Sequence, residues 1–288
     1  MASVLVTGTS SGIGLATALA LARAGHKVHA AMRDPGRGAP LAAAIAAERL
    51  RIWILKIDVN SDSSVAETVE RIGRDGEPIE ALVNNAGIER LGSVEELPLE
   101  AFREVMETNY FGALRCIQAV LPQMRERRSG CIVNVTSIAG RMATSPMAPY
   151  AASKFALEAL SEILAQEVKP FNVRVAIVEP GIIGTAMAER VASLASASRY
   201  PHSRRMANLF RAALANPTPP SLAAEAIRKI IESRTRHLRF PVGPGARSFL
   251  DWRAGMSDEA WVELGALDDD AWYDRMKRDF GLDARPQG

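Results

Sequence analysis

The chain has 288 residues, 48% apolar and 24% charged, with 21 glycines. That composition excludes a mainly disordered chain, and the length allows a sizeable core, since a chain of this size buries roughly 75% of its unfolded surface. Thirty-five basic residues against 33 acidic ones leave a formal net charge of +2, too balanced to mark a nucleic-acid or acidic-lipid partner. Cys116 and Cys131 form no CxxC, and His26, His29, His202 and His237 have no ligand-spaced neighbours, so neither a disulfide framework nor a metal site is expected. No apolar run approaches the ~18 residues of a membrane span. Ser3–Thr7 reads as a buried strand with no basic stretch before it, so no signal peptide is expected and the expected location is the cytoplasm.

In chain order, strands are predicted at Ser3–Thr7, Lys27–Met32, Ile52–Asp58, Ala81–Asn84, Gly130–Thr136 and Val173–Val178. Helical patterns lie between them at about 13–24, 40–49, 62–74, 99–127 and 149–168. The strands are continuously apolar rather than alternating, as parallel strands covered on both faces must be. This alternation predicts an α/β, doubly wound, mostly parallel sheet with helices on both faces. After Pro180 the pattern loosens until Asn216-Pro-Thr-Pro-Pro220; a helix at 221–233 and a strand at 238–242 then close the sheet. The expected organisation is one domain over 1–242, with 243–288 as a helical extension carrying Trp252, Trp261 and Trp272.

Thr7-Gly8-Thr9-Ser10-Ser11-Gly12-Ile13-Gly14 follows the first strand and opens the first helix. Glycine lets a backbone approach a pyrophosphate, and the helix N-terminus offers free N–H groups, so the placement predicts a dinucleotide phosphate loop. Strand two should end in an acid for NAD or a base for NADP. Here it ends Ala30-Ala31-Met32-Arg33-Asp34, in which Arg33 could pair with a 2′-phosphate. NADP(H) is therefore the expected cofactor, and Asp34 leaves NAD(H) open through a register shift.

Tyr150 and Lys154 stand four residues apart at the start of a helical stretch, hence on one face. A nearby ammonium stabilises a phenolate and moves its pKa toward working pH, which suits Tyr150 as general acid/base for an alcohol–ketone pair. Ser137 ends a strand at the carboxyl edge where ligands bind in open α/β sheets, and Asn84-Asn85-Ala86-Gly87 ends another at the same edge. Asn109 interrupts an otherwise apolar helix, where a buried amide must find partners.

With these residues in hand, residues 2–242 resemble the short-chain dehydrogenases/reductases, main single-domain branch. The resemblance rests on TGTSSGIG (7–14), Asp58-Val59, NNAG (84–87), Asn109, Ser137, Tyr150-x-x-x-Lys154 and PGIIGT (180–185), in family order and spacing. It implies a Rossmann-type, seven-stranded fold in which Tyr150 exchanges the substrate proton and Ser137 holds the substrate oxygen. It also implies that Lys154 lowers the tyrosine pKa and binds the nicotinamide ribose, and that Asn109 anchors a relay water. Gly8, Ser10, Ser11, Gly12, Ile13 and Gly14 would surround the phosphates and adenosine, and Asp58 and Val59 the adenine. Asn85, Ala86 and Gly87 would pass the adjoining ribose, while Pro180, Gly181, Ile183 and Thr185 would fix the nicotinamide. Residues 31–34, AMRD, resemble NADP-preferring members; Ser11 departs from them, since many carry a base there.

By the same resemblance the segment 184–220 covers the substrate. Its Met187, Val191, Leu194, Tyr200, Met206, Leu209 and Phe210 fit a hydrophobic carbonyl or secondary alcohol. They fit equally a helix core, with Arg190, Arg199, Arg204 and Arg205 as its solvated face. Met142, Pro146 and Met147 are further pocket candidates. The tail tryptophans are expected to pack on the domain rather than to cover the pocket. The helices at 99–127 and 149–168 carry the family's dimer or tetramer contacts, so a homo-oligomer is expected. Two other classes stay open: a sugar-nucleotide epimerase or dehydratase, and a non-catalytic NADP(H)-binding redox sensor. TGTSSGIG and the short tail speak against the first, and the complete Asn109/Ser137/Tyr150/Lys154 set against the second.

Overall fold

A computed structural model describes residues 1–74, 78–194, 197–233 and 235–286. Positions 195–196 of the expected covering segment and 287–288 of the expected extension lie outside the described residues.

Seven strands form one sheet: β1 (Ser3–Thr7), β2 (Lys27–Met32), β3 (Ile52–Lys56), β4 (Ala81–Asn84), β5 (Gly130–Val135), β6 (Val173–Pro180) and β7 (Arg239–Val242). Their order is β3-β2-β1-β4-β5-β6-β7, and every neighbouring pair is parallel. The continuous apolar character of the strands has a direct cause. Val4 and Val6 face a core shared with α1 (Gly12–Arg23) and α9 (Pro220–Glu232), while Leu5 between them faces a second core. That second core is closed by α3 (Asp62–Arg74), α5 (Gly112–Arg127) and α6 (Ala148–Glu167). The central strands are covered on both faces and so do not alternate, whereas the edge strand β3 leaves Trp53 and Lys56 exposed.

The strand order reverses beside β1, which has β2 on one side and β4 on the other. The chain leaves β1 and β4 for helices on opposite faces of the sheet, which opens a crevice beyond the strands' carboxyl ends, the usual ligand position in such sheets.

Several element ends differ from expectation. β3 stops at Lys56, because Asp58 turns away to accept from the Asn60 amide at 3.1 Å. β5 stops at Val135, and β6 runs on to Pro180, pairing with β7 as far as Val242. The predicted helix 99–127 is broken into α4 (Leu99–Met106) and α5 by a π turn at Glu107–Phe111. Asn109 explains that break: its side chain clamps the Ile88 backbone, donating to the carbonyl at 2.9 Å and accepting from the amide at 2.8 Å. Such π turns inside helices concentrate at functional sites.

Beyond Pro180 the chain forms α7 (Ala186–Ala192) and α8 (His202–Leu214), and after β7 it adds α10 (Ala246–Ala254), α11 (Asp258–Glu263) and α12 (Asp269–Phe280). No helix among the described residues is long and apolar enough to cross a membrane.

Candidate active site

A cleft of about 520 Å³ runs along the carboxyl edge of the sheet. Of the positions singled out in the sequence, Gly8, Ser10, Ser11, Gly12, Ile13, Arg33, Asp58, Val59, Asn85, Ala86, Gly87, Ser137, Tyr150, Lys154, Pro180, Gly181, Ile183 and Thr185 line it. Gly14 and Asn109 stand behind the lining. Gly14 cannot be replaced there without movement, since a Cβ would lie 2.2 Å from the Gly8 carbonyl oxygen. Gly8 takes φ +72°, and a Cβ on it would come within 2.8 Å of the Ala86 Cα. The loop after β1 is thus pressed against the loop after β4.

Thr7 holds the two loops together, a role the sequence reading missed. Its hydroxyl accepts from the Asn85 and Ala86 amides, each at 3.1 Å, and Asn85 Nδ2 donates to the Thr7 carbonyl at 3.0 Å and the Gly8 carbonyl at 3.2 Å. Asn85 therefore braces the glycine loop with its side chain while its backbone faces the cleft. The only signal for Thr7 was its place at the strand end before glycine.

At the end of the cleft beyond β2, Asp34 is exposed and lines the wall beside Arg33. Its Oδ1 accepts from the Gly36 amide at 2.9 Å and caps the short 3₁₀ turn Pro35–Gly38. Arg33 is exposed at the cleft wall with no ion pair among the described residues, and Arg37, which the sequence reading passed over, lines the same end. A group carrying phosphates fits this cradle: glycines close to a helix N-terminus at one end, two guanidiniums at the other.

At the opposite end, Ser137 caps a 3₁₀ turn by accepting from the Ala139 amide at 3.1 Å, with its hydroxyl donating to the Pro180 carbonyl at 3.4 Å. Lys154 is 4% exposed and donates to the Val135 carbonyl at 2.9 Å. Its Nζ lies 5.6 Å from the centroid of the Tyr150 ring. Asn109 Nδ2 also donates to Ser153 Oγ at 2.9 Å, and that hydroxyl donates to the Tyr150 carbonyl at 2.7 Å. The amide thus fixes the first turn of α6, from which both Tyr150 and Lys154 project.

The electrostatics of the protein alone correct one expectation. Tyr150 is not lowered toward neutral: burial pushes its phenol up to about 12, Ser137 acts to lower it, and Glu89 raises it. Burial also brings Lys154 down to about 8, with the Glu158 charge acting against that fall. For each of the two, desolvation of the charged form is the largest influence.

A second cavity of about 320 Å³ adjoins the first, and Ser137, Met147 and Gly181 line both. Its walls include Met142, Met206, Leu209, Phe210, Phe249, Trp252, Trp261 and Trp272. The tail tryptophans therefore wall a cavity as well as pack, contrary to the expectation of plain packing. Two of the ring N–H groups have partners: Trp252 Nε1 donates to Asp279 at 2.8 Å, and Trp261 Nε1 to the carbonyl of Ala143, which lines the same cavity, at 3.1 Å. The arginines of the covering segment are not a simple solvated face either. Arg205, 3% exposed, pairs with Asp269 at 2.8 Å, and Arg190 spans to Glu89 at 2.8 Å.

Fold and cleft together define a Rossmann-type dinucleotide-binding protein. Residues 2–195 match the family described as short chain dehydrogenase. The chain is 41% identical over 204 residues to bovine (Bos taurus) retinol dehydrogenase 8, covering 69% of this chain and 64% of that one. It is 34% identical over 245 residues to the 3-ketodihydrosphingosine reductase of Bacteroides thetaiotaomicron, covering 84% and 87%. A short-chain dehydrogenase structure from Streptomyces avermitilis superposes with a TM-score of 0.76 at 32% identity, covering 97% and 98%. The chain spans under two thirds of the length of the retinol dehydrogenase 8 relative. It belongs to the short-chain dehydrogenase/reductase family.

Proposed function

We propose that this protein transfers a hydride between NADP(H) and an apolar carbonyl or secondary alcohol, with Tyr150 as general acid/base. The observation that carries the reading is the meeting of the two cavities at Ser137, beside Tyr150 and Lys154. A reacting oxygen held at that junction has the phosphate-fitting cleft on one side and an apolar chamber on the other. The dinucleotide, when bound, supplies or accepts the hydride. Tyr150, protonated at neutral pH, gives its phenolic proton to the substrate oxygen during reduction. Ser137 donates a hydrogen bond to that oxygen, where negative charge develops. Lys154, beneath the ring, offers positive charge for the phenolate left behind, and Asn109 keeps the α6 turn in place.

Arg33 and Arg37 at the adenosine end, with Asp34 engaged by Gly36, support NADP(H) over NAD(H). The apolar and aromatic lining of the second cavity, Trp252 and Trp261 included, supports a hydrophobic substrate, and so does the likeness to a retinol dehydrogenase and a 3-ketodihydrosphingosine reductase. Exposed Phe155 and Ile163 on α6 support assembly with a second copy.

The test follows nicotinamide absorbance with NADPH and then NADH across a panel of apolar ketones, aldehydes and alcohols, beside Tyr150→Phe. Turnover with NADPH that disappears in the variant is expected. Tight NADPH binding with no turnover across the panel would overturn the reading in favour of a sensor.

A further inference from the structure

Behind the proposed site lies a buried ionic cluster that the mechanism does not use. Glu158, one turn beyond Lys154 on α6, is 5% exposed, and Glu179 on β6 is fully buried. Glu158 Oε1 accepts from the Thr136 hydroxyl at 2.7 Å, and its Oε2 from Arg239 Nε at 3.0 Å. Arg239, on β7, also reaches Glu162 at 3.2 Å and Glu179 at 3.8 Å, and Arg141 pairs with Glu179 at 3.4 Å. Glu179 Oε2 has no partner among the described residues. The Lys154 ammonium rests on the carbonyl of Val135 and the Glu158 carboxylate on the hydroxyl of Thr136, so the two groups dock on consecutive residues.

We propose that Glu158 is a positioning residue for Lys154, supplying the buried negative charge that keeps the ammonium protonated and directed at the carboxyl end of β5. The inference rests on the reading of Lys154 given above. Arg141 and Arg239 pair with Glu158, Glu162 and Glu179, and Lys154 stands one turn before Glu158 on the same helix. A guanidinium cannot release its proton in a protein, whereas a buried ammonium can. Loss of the Glu158 charge therefore falls on Glu179, which burial and that charge both hold above the usual carboxylate range, and on Lys154. The remaining charges around it do not replace Glu158. Glu89 is paired with Arg190, and Glu100, Glu104 and Glu107 around the neighbouring α4 pair with Arg103, Arg90 and Arg115. The Tyr150 phenol is neutral at working pH. Glu158 is also the charge that raises Lys154 against the effect of burial.

The experiment titrates the Lys154 side chain by NMR in lysine-labelled, cofactor-free protein, assigned with Lys154→Arg, and records kcat/KM against pH. Glu158→Gln keeps the shape and removes the charge. The Lys154 midpoint, about 8 in the parent protein, is expected to fall by about one pH unit or more, with the alkaline limb of activity moving the same way. Glu158→Asp keeps the charge and should restore most of the midpoint even where thermal stability drops. Should Glu158→Gln not fold, Thr136→Val, which removes the hydroxyl that holds the carboxylate charged, should give a smaller shift of the same sign. An unmoved midpoint in the folded charge-altering variant, or an Asp variant no better than Gln, would overturn the proposal. Because the titration is read without cofactor or substrate, it fails independently of the proposed reaction, which Tyr150→Phe tests.

Discussion

The two cavities are built on opposite principles. The dinucleotide-fitting cleft is made largely of backbone and strand ends from the first half of the chain, spaced by sheet geometry. The apolar chamber is made of side chains drawn from positions as far apart as Met142 and Met276, on loops and helices that no sheet register fixes. Backbone sites tolerate little change at a few positions; side-chain sites spread their cost over many. Perturbation should therefore be steep in the cleft and graded in the chamber.

The sharpest break is chemical. Tyr150→Phe removes the proposed proton donor and should cut turnover by about a thousandfold while leaving the NADPH dissociation constant unchanged; stopped-flow fluorescence beside steady-state rates checks both. Next in size is Gly14→Val, behind the cleft wall. Its Cβ would meet the Gly8 carbonyl and the Asn85 amide nitrogen at 2.2 and 2.5 Å, so the loops must separate. Loss of NADPH binding by about a hundredfold and a lower melting temperature are expected, measured by calorimetry and thermal unfolding. Arg33→Ala should weaken NADPH by about tenfold and spare NADH, as a lost charge-assisted hydrogen bond on one phosphate does. An equal loss for both dinucleotides would mean that Arg33 does not read the 2′ position.

The smallest effect sharpens the comparison. Trp261→Ala removes one wall and its link to the Ala143 carbonyl. KM for an apolar substrate should rise by about tenfold at unchanged NADPH affinity, as expected for losing part of a buried aromatic contact. A change in NADPH binding of similar size would show that the chamber and the cleft are not separate units.

Much of the cleft was legible because its signals are local. The glycines of residues 7–14, the acid at Asp58 and the Tyr150–Lys154 spacing each carry a steric or chemical need within a few residues. What escaped was the partner of each signal. Thr7 could be recognised as a brace only once β4 was placed beside β1, and Arg37 only once the Asp34 cap folded its turn back toward the cleft. The break at Asn109 was visible as a polar residue in an apolar helix. Its form, a π turn clamped to Ile88, needed the β4 loop as partner.

The tail shows the opposite balance. Three tryptophans in a short helical stretch say only that something is buried, and packing and pocket-lining demand the same residues. That Trp252 and Trp261 line a cavity is decided by what they meet, and their ring N–H groups are taken up by Asp279 and the Ala143 carbonyl, both distant from them in the chain. The pKa values have the same origin. Four residues of spacing put the Lys154 ammonium on the same helix face as Tyr150, but burial is the largest influence on each group. By itself the sequence determined the strands, the doubly wound sheet and the identity of the chemical groups, because periodicity and glycine sterics act over short range. Tertiary structure alone decided the charge states and the walls of the apolar chamber, because dielectric and cavity shape belong to no single segment.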